Sequence, residues 1–96
     1  MSPKNKIKLN KLRKKLDKLD YQLLKTIKTR TEIIKKVIKL KSYKNEIVDK
    51  KRISTILKKI KKESLKRNID PKITNRIWKN MIWSYIDFEK RNFKKK

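Results

Sequence analysis

Three charged side chains in this sequence stand where apolar ones belong. Arg30 falls in register with Leu19, Leu23, Ile34 and Val37, which recur at the steps of three, four and seven that mark one face of a helix. Lys41 follows eleven residues later, about three helical turns on, and so shares that face. Further along, Trp78, Ile82 and Tyr85 line up on one face, and Glu89 continues the line one turn beyond. Burying an unpaired charge costs several kcal/mol, so such positions ask for a reason. Two cations and a carboxyl beside an aromatic wall would describe a pocket for a small dianion, with Asp49 and Arg52 joining if their segment folds back over it. A plainer reading stays open: the stems of Arg30 and Lys41 pack while their heads reach water, and Glu89 pairs with Lys90 or Arg91 at a fraying helix end. Arg13, seventeen residues before Arg30, points about a quarter turn away and would face a second chain. Trp78 and Tyr85 belong to the core in either reading, and Arg67, Arg76 and Arg91 to the solvated surface.

The composition narrows the chemistry. With no Cys, His or Gly among 96 residues, the chain has no thiolate nucleophile, no imidazole base, no thiolate or imidazole ligand for zinc or haem and no glycine-rich phosphate loop. No metal site is expected. A formal charge of +24 draws anions of every kind, so nucleic acid is the first partner to consider. Yet six of the 33 basic residues are arginine and the rest lysine, in a chain without alanine and rich in Ile and Asn, which is also what drift toward A/T-rich codons produces. Non-specific, low-salt binding to nucleic acid follows from the charge alone, and no groove-reading motif accompanies it. Residues 1–10 hold no apolar stretch of a signal peptide, and no run approaches the ~18 apolar residues of a membrane span. A cytoplasmic protein with no membrane partner is expected.

The elements that must position these residues are legible in the spacing. Leu9, Leu12, Leu16, Leu19, Leu23, Ile27, Ile34 and Val37 predict one helix over Lys6–Ser42, about 55 Å long and too long for a chain of this size to cover alone. A second copy is the simplest cover, as an antiparallel, interlocked pair. Tyr43 to Asp49 breaks the pattern, and Asp49 is placed to cap a second helix over about Lys50–Arg67, with Ile53, Ile56, Leu57, Ile60 and Ser64 on its inner stripe. Asn68-Ile69-Asp70-Pro71 punctuates the chain before a third helix to about Phe93, Asp70 capping it and Pro71 filling its first position. Lys94 to Lys96 end it as a frayed basic tail. The expected architecture is therefore all-α, one domain over residues 1–96 with a core at about 9–90, its three helices long, short and medium in an intertwined homodimer.

The run Leu12-Arg13-Lys14-Lys15-Leu16-Asp17-Lys18-Leu19-Asp20, then Leu23-Leu24, Arg30, Lys41, Asp49, Arg52 and the Asn68-Ile69-Asp70-Pro71 turn, resembles the all-helical class of chorismate mutases over about residues 9–90. The combined spacing of Arg13, Arg30, Lys41 and Arg52 is what makes the likeness specific. That resemblance implies an intertwined three-helix homodimer with shared sites. In it, Arg30 and Lys41 bind substrate carboxylates, Arg13 reaches in from the partner chain, Lys41 and Glu89 face the ether oxygen, and Asp49 and Arg52 lie near the ring hydroxyl and the pocket entrance. The implied reaction, the pericyclic rearrangement of chorismate to prephenate, needs no cofactor. Two positions depart from the family: Ile53 replaces a glutamate that holds the ring hydroxyl, and Tyr85 replaces a small serine. Ile53, the Tyr85-Ile86 pair and the Lys41-to-Arg52 spacing are similar to isochorismate pyruvate lyases, whereas Glu89 is similar to some mutases, notably fungal ones.

Overall fold

The structure, a computed structural model, describes residues 1–94 as three α-helices and one short 3-10 turn. Helix α1 spans Pro3–Leu40, α2 Lys50–Lys66 and α3 Pro71–Asn92, and the 3-10 turn is Lys44–Glu46. Among the described residues there is no strand. Lys95 and Lys96 of the expected basic tail lie outside the described residues; Lys94 is exposed and non-helical.

Each helix begins and ends for a reason written in adjacent residues. α1 starts three residues earlier than its apolar period implies. Pro3 tolerates a first-turn position because its missing N–H would have no partner there, and the Ser2 hydroxyl accepts the Asn5 N–H at 3.2 Å. It stops at Leu40, two residues short of Ser42. The Lys41 N–H reaches back three residues to the Ile38 carbonyl at 3.2 Å, tightening the last turn, and Tyr43 is already extended at φ −128°. Glu46 then holds the Tyr43 N–H through its carboxylate at 2.9 Å.

The Asp49 carboxylate accepts the Arg52 N–H at 2.9 Å and opens α2, and Asp70 accepts the Lys72 N–H at 2.9 Å in front of Pro71 to open α3. Between them the chain turns without glycine. Asn68 takes φ 56°, the Ile69 N–H bonds the Ser64 carbonyl at 2.9 Å, and the Asn68 N–H bonds the Leu65 carbonyl at 3.3 Å. These two bonds make a Schellman cap, with asparagine, the non-glycine residue most tolerant of the left-handed region, at the position glycine usually fills.

The chain forms two compact units, residues 1–33 and the part from Ile34 onward. In the first, Leu12, Leu16, Leu19, Leu23, Leu24 and Ile27 of α1 are all exposed, Leu16 by 58%. The second holds α2 packed on α3, with Ile38, Ile47 and Ile86 its buried apolar side chains and Ile53, Ile56, Leu57 and Ile60 half-buried on the expected stripe. Ser64 continues that stripe as a polar member. Its hydroxyl bonds the Ile60 carbonyl at 2.6 Å and meets the Thr74 hydroxyl of α3 at 2.7 Å, so both buried groups are satisfied. No helix among the described residues is long and apolar enough to cross a membrane.

Candidate active site

The chemistry-bearing contact joins two segments far apart in sequence. Glu89 lies on the inner face of α3, one turn beyond half-buried Tyr85 and beside half-buried Phe88, and is itself only 6% exposed. Lys41, one residue past the end of α1, donates from Nζ to Glu89 Oε1 at 2.9 Å. Its side chain is 20% exposed, so the ammonium is shielded but still open toward solvent. The attraction between the two groups is strong where water is scarce.

Two plainer expectations are thereby corrected. Glu89 is not a surface charge at a fraying end, because it is buried and accepts from Lys41, while Arg91 turns elsewhere. Arg91 pairs with Asp87 at 2.8 Å, four residues back, and its guanidinium lies 6.0 Å from the centre of the Phe88 ring. The head of Lys41 does not simply reach for water, because it is turned onto Glu89. The placement of Lys41 also differs from the helical extrapolation: α1 has ended, and the path of the chain after Leu40, rather than a three-turn period, aims its side chain.

An open hollow of about 640 Å³ adjoins the pair, lined by Lys41, Glu46, Val48, Asp49 and Lys50. The connection from α1 to α2 builds it. Ile47, 3% exposed, pins this segment into the core, while Glu46 fixes its turn by bonding Tyr43. Of these lining residues only Lys41 and Asp49 stand out in the sequence as site candidates. A signal for Glu46 existed in its position three residues after Tyr43, where the apolar helical pattern breaks, the spacing of a capping glutamate. Asp49 uses its carboxylate to cap α2, which leaves its second oxygen for the hollow. Arg52 is exposed and Ile53 half-buried at the start of α2, and Tyr85 is half-buried with its ring edge-on to Phe88 at 6.5 Å. Arg13 and Arg30 belong to the first unit, where both are exposed on α1.

Chemically, an ammonium and a carboxyl 2.9 Å apart and largely shielded from water can both act on one acceptor. The ammonium always donates, and the carboxyl donates once it carries a proton. Among the described residues no cluster of three His, Cys, Asp or Glu side chains is placed to hold a metal ion. No curated protein and no solved structure matches the chain. The family model for chorismate mutase type II does match it, over residues 12–90. That stretch takes in Arg13, Arg30, Lys41, Arg52 and the buried pair's carboxyl, and with more than half its length covered the chain belongs to the chorismate mutase type II family.

Proposed function

We propose that the chain works as a single chorismate mutase domain, core about 9–90, converting chorismate to prephenate in cytoplasmic aromatic amino-acid synthesis. The observation that carries this reading is the shielded Lys41–Glu89 contact at 2.9 Å in a chain of this family. The reaction rearranges one molecule: a carbon–oxygen bond breaks as a carbon–carbon bond forms. It calls for no nucleophile, base or cofactor, so a sequence without His or Cys is adequate to it.

Negative charge grows on the ether oxygen as its bond to carbon lengthens. Lys41 donates to that oxygen, and Glu89 in its protonated form donates a second hydrogen bond. Arg30 and Lys41 hold the carboxylates, Arg13 of a second copy closes over them, and Asp49 and Arg52 attend the ring hydroxyl and the entrance. Holding the chair-like conformer supplies the remaining rate, because the reacting carbons are brought together before the bond changes begin. Support for a homodimer comes from the leucine stripe of α1, which a single chain leaves exposed.

Ile53 and Tyr85 favour a second reading, isochorismate pyruvate lyase, which forms salicylate. Glu89 weighs toward the mutase, because those lyases resemble the usual mutases in having glutamine there. A third reading is a small basic helical protein that binds nucleic acid. Purified protein incubated with chorismate, and separately with isochorismate, distinguishes the three. Prephenate formed from chorismate is the expected result. Pyruvate released from isochorismate would make the chain a lyase. Turnover of neither, with tight sequence-selective duplex binding that survives physiological salt, would replace the enzyme with a binding protein.

A further inference from the structure

Charge is not spread evenly over the three helices. α3 carries five basic and two acidic side chains, α1 fourteen and three, and the much shorter α2 eight and one. The single carboxylate of α2, Glu63, is taken up by Lys66 and Arg67, each at 3.8 Å. What remains is ordered. At ~100° per residue Lys51, Lys58 and Lys62 fall within about 40° of one another, along about 17 Å of helix and opposite the apolar stripe. Lys58 also lines an open groove of about 420 Å³ between α2 and α3 with Leu57, Lys61, Pro71, Lys72 and Asn75, and no carboxylate lines it. Among the described residues none of Lys51, Lys58, Lys61, Lys62 or Lys72 belongs to an ion pair.

We infer that this face, the outer side of α2 continued across the groove to Lys72, binds the phosphate backbone of nucleic acid, separately from the Lys41–Glu89 site. A straight row of ammonium groups with no interleaved carboxylate repels itself, and a rod of regularly spaced phosphates relieves that repulsion while releasing its own counterions. A bilayer fits less well, because the apolar stripe of α2 is turned onto α3 and has no free edge to enter lipid. Recognition here is by backbone charge, without base reading.

Any protein of charge +24 binds DNA at low salt, so the test compares variants of equal charge. In the full-length chain, one variant carries Lys58→Gln, Lys62→Gln and Lys72→Gln, and a control carries Lys4→Gln, Lys6→Gln and Lys8→Gln. All six positions are exposed, and the control positions precede the family match. Binding of a 20-base-pair duplex is measured from 50 to 200 mM salt, beside vesicles of anionic lipid and turnover of chorismate. The first variant is expected to lose about tenfold or more in affinity at 150 mM salt and to lower the slope of log K against log salt by about 2 to 3, one unit per lost phosphate contact. The control should stay within about threefold of the parent at the same salt, since its lysines meet no fixed phosphate. Equal losses in both variants would overturn the inference, as would parent binding that vanishes above 50 mM salt, or binding to vesicles without binding to duplex. Chorismate turnover should be unchanged in both variants, and a loss confined to the first would place this face in the substrate site instead. Should the parent turn over no substrate, the binding comparison still decides, so failure of the enzymatic reading and failure of this one are separate results.

Discussion

Removing the cation and removing the anion at the Lys41–Glu89 contact should have unequal costs. Lys41→Met leaves a carboxylate that is 8% exposed along its side chain with no counter-charge. The expected loss is about 3 kcal/mol of stability, read from urea denaturation at neutral pH. Glu89→Gln keeps an amide oxygen that still accepts from Lys41, so its loss should be about 1 kcal/mol. Activity should respond differently. The amide of Glu89→Gln is a permanent hydrogen-bond donor toward the ether oxygen, so this variant should keep kcat and kcat/KM within about tenfold of the parent, whereas Glu89→Ala should lose about a hundredfold or more in both. Equal losses in the two variants would show that hydrogen-bond donation from this position does not carry the rate. At Arg30 the expectation is simpler: Arg30→Ala should abolish turnover of chorismate while changing the net charge by one unit in 24.

At the scale of the elements, the turn between α2 and α3 is where a glycine-free sequence meets its tightest backbone demand. Asn68→Gly should leave stability equal or raise it by a few tenths of a kcal/mol, whereas Asn68→Val should cost about 1 to 2 kcal/mol, because a branched Cβ collides with the backbone at positive φ. Thermal unfolding followed by circular dichroism measures both. Asp70→Ala, which removes the acceptor for the Lys72 N–H, should cost about 1 kcal/mol. An Asn68→Val variant as stable as the parent would mean that the turn adopts another conformation in solution.

The whole molecule raises the question of what covers α1. Three apolar side chains are buried in the described chain, Ile38, Ile47 and Ile86, which is too small a core to hold a 38-residue helix in water unaided. Sedimentation at micromolar concentration is expected to give about twice the 11.8 kDa chain mass, with a melting temperature that rises with protein concentration because folding and association are linked. A compact, stable monomer would leave Arg13 no second chain to serve and would remove the shared-site mechanism.

Local signals in the sequence determined the helices because the forces that start and stop a helix act over a few residues. Asp49 and Asp70 can be read as caps without any tertiary knowledge, since each accepts an amide two or three positions away, and Pro71 as a first helical residue, since it has no N–H to satisfy. The inner stripe Ile53, Ile56, Leu57, Ile60 and Ser64 follows equally from a period of 3.6. The ends of α1 were less legible. Its start depended on Ser2 and Pro3 rather than on apolar spacing, and its stop on a single tightened turn at Lys41. Only the folded chain decided what Glu89 does. The sequence places it on an aromatic face and supplies two basic neighbours, and both a surface pair and a buried one satisfy that pattern. The choice is made by Lys41, forty-eight positions away, which the packing of the second unit brings to 2.9 Å of the carboxylate. The Ser64–Thr74 hydroxyl pair was hidden for the same reason: a polar residue on an apolar stripe announces a partner, but the partner lies on another helix and is selected by packing.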